Sequence, residues 1–358
     1  MMKYCRKCLL PASAPDARLD PEGVCGFCRG EALDVHVIEP AKRARLRADL
    51  NQTLSAIPRL GPYDALVCLS GGKDSLYLLH KLKVEHGLRV LAFTVDMSIP
   101  PVAWDNIRRT VERLDVDHVI HRPPLQFYKK LYRFLLTNQE ARGAVRSVSY
   151  VYAPLFESAA LRAATEMRIP LIFAGYSPGQ PDPRRMTYEF SRDYVCNTDW
   201  TPEELRDCGL FDEDELARFW NPKRYPAGTS FPRYIAPFHA WDYDQDEIMR
   251  EVVRLGLAAS RRHASPIHSN FLLNWLLMYS DLVHFGYNPY APEFAALIRH
   301  GKASRWRWRV LQPLVNFMIS RKVLLGRHVS KSLRWLELTT EDLRIVRPAK
   351  EEPVTSRF

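Results

Sequence analysis

The chain reads as an α/β protein built on a parallel sheet, with a cysteine-rich segment before it and a helical region after it. Three observations carry that reading. Between about residues 64 and 175, short apolar runs alternate with helical stretches, the pattern of strands covered on both faces by crossover helices. One of these runs ends in the pair Gly71-Gly72, directly before a helical stretch. Four of the seven cysteines fall within the first 28 of 358 residues, a clustering that points to metal before disulfide in an intracellular chain.

The elements follow in order. Residues 1–32 are Cys-rich and turn-rich (Pro11, Pro15, Asp20-Pro21-Glu22-Gly23). Within 33–60, Leu46, Leu50, Leu54 and Ile57 recur at helical spacing and define a connecting helix. A nucleotide domain is expected over 61–200. Its first strand is the apolar run 64–69, followed by a helix carrying Leu76, Leu79 and Leu82 on one face and ending near Gly87. A second strand is expected over 89–96, a helix over 106–114 and a short strand over 118–121. Helices over 126–136 and 154–168 and a strand over 170–175 complete the alternation. From Thr201 the pattern turns helical and aromatic without clear strands, giving a helical region over 201–300 and a tail over 301–358.

The formal net charge of +10 is concentrated in that tail. From Lys302 to Lys350 there are 12 Lys and Arg against three acids, Glu337, Glu341 and Asp342. A basic end suits nucleic acid, an anionic membrane surface or an acidic partner, or forms a solvated helical face. Met1-Met2-Lys3-Tyr4 runs into Cys5 without an apolar targeting stretch. The apolar stretch around 271–279 falls short of the roughly 20 residues of a membrane span. A cytoplasmic protein without a transmembrane segment is the expectation.

Cys5, Cys8, Cys25 and Cys28 give the spacing C-x2-C-x16-C-x2-C. Each pair forms a knuckle presenting two thiolates, and two knuckles close a tetrahedron suited to Zn²⁺. Four protein ligands leave no open position, so a structural role is expected; an iron–sulfur cluster on the same ligands is the alternative.

Ser70-Gly71-Gly72-Lys73-Asp74-Ser75 lies between an expected strand and an expected helix. Paired glycines let backbone N–H groups approach an anion, and the helix N-terminus adds partial positive charge. Ser70, Ser75 and Lys73 add donors, and Asp74 makes sense if Mg²⁺ accompanies the phosphates. The spacing is not that of a Walker A loop. Read as a family signature, the hexapeptide resembles the SGGxDS loop of the PP-loop ATP pyrophosphatases, adenylating enzymes on a Rossmann-like HUP (adenine nucleotide alpha hydrolase-like) fold. The resemblance implies that ATP is split to AMP and pyrophosphate, with Ser70 to Ser75 holding pyrophosphate and Mg²⁺. It makes Lys73, Asp74 and Ser75 the catalytic candidates. Thr94, Val95 and Asp96, ending the second strand, would lie against adenosine.

The N-terminal run Cys5-Arg-Lys-Cys8-Leu-Leu-Pro11 through Cys25-Gly-Phe-Cys28 resembles the opening of the N-acetyl sugar amidotransferases. The run from Ala174 and Gly175 through Ser177 to Gln180 resembles a glycine-containing loop of that branch, and 237–244 and 269–274 are weaker echoes. The resemblance implies that an acetamido oxygen on a sugar, free or nucleotide-linked, is adenylated and that ammonia then displaces AMP. The ammonia would come from a separate glutamine amidotransferase subunit or from solution. The chain departs from the branch at 146–149 and at Phe271, where cysteines are expected. Gln180, His268 and Asn270 are the substrate candidates, Gln180 because ligands bind beyond the C-terminal ends of parallel strands.

Two alternatives stand beside this reading. A sulfur-transferring enzyme of the same family would need a reactive thiol from Cys68, Cys196 or Cys208. A non-enzymatic zinc-ribbon nucleic-acid binder would use the basic tail and its run Arg305-Trp306-Arg307-Trp308-Arg309, by stacking and phosphate contact. On a helix, that run is expected to bury its tryptophans and expose its arginines.

Overall fold

The computed structural model describes residues 3–31, 38–178, 188–265 and 271–349. Its centre is a five-stranded, all-parallel sheet of β1 (Ala65–Cys68), β2 (Val90–Val95), β3 (Asp117–His121), β5 (Leu171–Phe173) and β6 (Arg233–Ile235), in the spatial order β3-β2-β1-β5-β6. Within the sheet this is the doubly wound order 3-2-1-4-5. The chain winds outward from β1 to β3, then returns to the other side of β1 at β5. The switch point therefore lies between β1 and β5.

Strand periodicity sends β1 to both faces. Ala65 and Val67 join a cluster with Leu46 and Leu50 of α1 (Pro40–Ser55), Leu76 and Leu79 of α2 (Lys73–His80), and Ile107 of α3 (Pro101–Leu114). Leu66 joins Leu91 and Ile172 against Ala160, Leu161 and Ala164 of a long helix on the opposite face. A further cluster joins α4 (Leu125–Thr137) and α5 (Ala144–Glu166), which is that long helix, to α7 (Asn274–Phe285) and α10 (Arg327–Leu336). Helices α6 (Gln245–Arg254), α8 (Ala291–Arg299) and α9 (Arg305–Arg321) complete the longer helices. Beyond His80, α2 continues as a π-helical turn over Lys81–Glu85.

The parallel sheet, the N-terminal cysteine cluster and the helical C-terminal region stand as expected. Three details differ. The edge strand β6 lies at 233–235, in a region expected to be without strands. It is three residues long and flanked by Pro232 and Pro237, too short for periodicity to register. Helix α5 begins ten residues before 154, with Pro154 inside it; the proline masks the continuity of the pattern. In the tail, β7 (Ile345–Arg347) pairs in parallel with β4 (Gln139–Glu140), where no strand was expected.

Candidate active site

The loop from Ser70 to Gly72 leaves the C-terminal end of β1, the central strand, and α2 begins at Lys73. Gly71 has φ +79°, and a Cβ there would stand 2.4 Å from the Ala103 carbonyl oxygen at the start of α3. Only glycine therefore fits this position. Asn106 of α3 ties the loop down, its Nδ2 donating to the carbonyls of Gly71 and His263 at 2.9 Å each. Ser70 and Ser75 close the loop from inside: their hydroxyls lie 3.2 Å apart, and the Ser75 hydroxyl donates to the Gly72 carbonyl at 2.9 Å. Gly72 caps α2 without a side-chain acceptor. The first-turn N–H groups of Lys73, Asp74 and Ser75 have no acceptor within the helix, the ordinary state of a helix start. A loop of this shape offers an anion several backbone donors and the positive end of a helix dipole.

Gly175 lies just past β5, across the switch point. A Cβ there would come within 3.0 Å of the Ser75 backbone nitrogen and 3.2 Å of the Asp74 carbonyl carbon. The strand end is thus pressed against the first turn of α2, a contact that any side chain would force apart. Gly175→Ala is expected to cost about 1–3 kcal/mol of stability. It should also slow any turnover at the loop by roughly tenfold to a hundredfold through displaced donors. Thermal unfolding and pyrophosphate release measured together will check it.

Lys73 is nearly buried, with its side chain 6% exposed. Its Nζ lies 2.6 Å from Asp74 Oδ2 and 3.1 Å from the Tyr243 hydroxyl, and that hydroxyl donates to Asp74 Oδ1 at 3.0 Å. Burial pulls the Lys73 ammonium down, but Asp74 and Tyr243 outweigh it and hold the group above the ordinary lysine value. The Tyr243 hydroxyl is pushed up by burial and by the Asp74 carboxylate. Glu293 on α8 faces the same cluster: burial pushes its carboxyl up to about 8, with Lys73 pulling it down and Asp74 raising it. A charged lysine, a carboxylate and a phenol therefore meet beside the loop.

The β2 residues are placed differently from one another. Thr94 is buried and donates to the Leu69 carbonyl at 2.7 Å, while His118 Nε2 lies 2.8 Å from its hydroxyl. Val95 is half-buried. Asp96 is paired with Arg122, whose Nε is 2.6 Å away, and accepts from the Ile99 N–H. Gln180, His268 and Asn270 lie outside the described residues. Asn106, Tyr243 and Glu293 were not among the expected site residues. They lie some 30 to 220 positions beyond the loop in sequence, and only Tyr243 fell within a quoted motif.

The four N-terminal thiols converge as their spacing requires, with all four sulfurs within 4.8 Å of one another. Cys5 and Cys28 sulfurs are 3.8 Å apart and Cys8 and Cys25 sulfurs 3.6 Å apart. Four sulfurs at about 2.3 Å from one ion stand about 3.8 Å from each other in a tetrahedron. The set thus fits a single thiophilic cation. Burial and neighbouring thiols push Cys8 up to about 11 and Cys28 higher still, while backbone N–H donors bring Cys5 down to about 7 despite its burial. The ribbon docks on α8: Arg299 donates to Cys8 Sγ at 3.3 Å and lies over the Phe27 ring, and Ala295 and Ile298 complete the contact.

Among the described residues, no helix is long and apolar enough to cross a membrane. The other three cysteines are dispersed. Cys68 lies on β1 against the Tyr234 hydroxyl at 3.4 Å, and burial pushes its thiol up to about 12. Cys208 donates to the Leu205 carbonyl and packs on the helical core. Cys196 lines an open cavity of about 550 Å³ with Asn197, Tyr225 and Phe231.

No family model matches the sequence. A probable sulfurtransferase of Methanocaldococcus jannaschii is 40% identical over 73 residues, covering 17% of this chain and 22% of that protein, so the match spans about a fifth of the relative's length. Among solved structures, the U34-tRNA thiolase NcsA of Methanococcus maripaludis with its [4Fe-4S] cluster aligns over 94% of this chain and 89% of its own, at 15% identity and a TM-score of 0.36. The NMN synthetase of Francisella tularensis aligns over 87% and 98%, at 9% identity and 0.35. The NH3-dependent NAD synthetase of Campylobacter jejuni aligns over 82% and 96%, at 12% identity and 0.35.

Proposed function

We propose that the chain is an adenylating enzyme of the PP-loop type, which splits ATP between its α and β phosphates and then transfers nitrogen to the activated carbon. The observation that carries this reading is the loop Ser70–Ser75 at the switch point, with buried Lys73 beside its donors. Backbone N–H groups of the loop and the start of α2 bind the two outer phosphates. Residues from Thr94 to Asp96 line the nucleoside side. The substrate oxygen, that of an acetamido group on a free or nucleotide-linked sugar, attacks the α-phosphorus and the bond to pyrophosphate breaks. Lys73 counters the negative charge that grows on the leaving pyrophosphate. Ammonia then adds to the activated carbon, AMP leaves with the C–O bond electrons, and the surplus proton goes to solvent or to a carboxylate such as Glu293. A separate glutamine-hydrolysing subunit supplies the ammonia, or it is taken from solution.

Asp74, a hard oxygen donor beside the phosphate-binding turn, is the residue that would hold magnesium, in exchange for its present partner Lys73 or Tyr243; Asp96 is likewise engaged, by Arg122. When bound, Mg²⁺ neutralises charge on the departing pyrophosphate. The ribbon takes a single structural zinc through Cys5, Cys8, Cys25 and Cys28, a reading supported by sulfur separations that suit one ion rather than a cluster.

The segment shared with a probable sulfurtransferase favours a second reading, in which sulfur replaces nitrogen after the same activation. Such transfer from a protein persulfide needs an accessible thiol of low pKa. Cys68 is buried with a raised pKa, Cys208 is partly buried against the helical core, and Cys196 borders an open cavity. Under the nitrogen reading, the triple variant Cys68→Ser, Cys196→Ser, Cys208→Ser keeps ammonia-dependent AMP formation within about threefold of wild type. Loss of turnover in a folded triple variant, restored by sulfide, would establish the sulfur reading instead.

A further inference from the structure

Helix α9 carries a row of exposed apolar side chains. Trp306 is 71% exposed, Val310 57%, Leu314 47% and Phe317 55%. At about 100° per residue these four fall within an arc of about 80° and run about 16 Å along the helix. Trp308, one helical face away, instead packs on Phe294, with ring centroids 3.6 Å apart. The expectation that both tryptophans of this run are buried is met only in part by Trp308, which is half-buried, and fails for Trp306.

The segment that carries the row is uniformly basic. Arg307 and Arg309 flank its two edges and Arg321 lies at its C-terminal end, all three exposed. From Lys302 to Leu336 there are nine Lys and Arg and no Asp or Glu. Arg307, Arg309, Arg321, Arg327, Lys331 and Arg334 make no ion pair with any described residue. Leu324, 66% exposed, extends the apolar surface beyond the helix end.

We propose that α9 is the face by which the protein lies on an anionic lipid bilayer. The row would sink to the boundary between headgroups and acyl chains while the arginines meet lipid phosphates. The composition selects this occupant. Val310 and Leu314 gain from leaving water but offer nothing to a nucleic-acid backbone or base, which would favour stacked aromatics between converging cations. A second copy of the chain is opposed by charge, since a two-fold contact would set like arginines against each other. The helix lies flat on the protein, with Gln312, Asn316, Met318 and Ile319 facing inward, so the bilayer is touched and not crossed.

The test is flotation of the full-length protein with vesicles of phosphatidylcholine alone and of phosphatidylcholine with roughly one-third phosphatidylglycerol. Expected is binding to the anionic vesicles that falls with salt, and a drop in partitioning of about tenfold or more in Leu314→Glu, Phe317→Glu. Arg307→Gln, Arg309→Gln, Arg321→Gln should reduce binding without changing the unfolding temperature appreciably. Equal partitioning of wild type and the Glu variant would overturn the proposal. So would no binding to anionic vesicles at low salt, displacement from them by single-stranded RNA that the Glu variant still binds, or a dimer in light scattering that the Glu variant dissolves.

Discussion

Asp74→Asn is expected to lower pyrophosphate release by roughly a hundredfold to a thousandfold, the size of effect seen when one charged group acting on developing charge is removed. Asp74 is the residue of the loop that a plain anion nest does not need, and the carboxylate beside the phosphates is what a magnesium-assisted departure requires. Its removal also leaves Lys73, 6% exposed, with a hydrogen-bond acceptor but no counter-charge. Breaking a buried pair from one side destabilises, so some loss of unfolding free energy is expected alongside. Assay of Asp74→Asn at a temperature where it is fully folded separates the two effects, and pyrophosphate release should stay low there. Wild-type release from the folded variant would mean that Asp74 only holds the fold.

The second large effect concerns the ribbon. Cys25→Ser, or full-length protein treated with a strong chelator, is expected to lose one metal ion per chain and to become sensitive to protease in the first 30 or so residues. The reason is size: this segment has a small cluster of its own, built from the cysteines, Leu10, Ala14 and Ala17 and completed by Ala295. In zinc-finger peptides the bound ion supplies about 10–16 kcal/mol of apparent binding free energy that is also folding free energy. The helical domain should stay folded, since its core is separate. A visible charge-transfer band in the untreated protein, with iron in metal analysis, would replace zinc by an iron–sulfur cluster.

The parts of this architecture written in local chemistry were legible in the sequence. The glycine pair shows because a positive φ at Gly71 and the contact with Ala103 demand it, and a strand running into paired glycines and then a helix leaves few other folds. The cysteine spacing shows because two knuckles have one geometric outcome. Residues that reach the loop by tertiary packing left little trace: Asn106 is an ordinary polar residue of an amphipathic helix, and Glu293 an ordinary acid in a first turn. Asn106 reaches the loop through the packing of α3 against α2. Strand β6 stayed hidden for a related reason. Three residues fixed by pairing with β5 carry no period of their own. Trp306 broke a general expectation because its helix is covered on one face only.

Phosphorus NMR of the products formed from ATP, with ammonia and a panel of nucleotide-linked acetamido sugars, tests the phosphate loop most directly. The proposed function calls for AMP and pyrophosphate in equal amounts, both lost in Asp74→Asn. ADP and inorganic phosphate as the products would mean that the outermost phosphorus is the one attacked, and that the loop does not leave the α-phosphorus open.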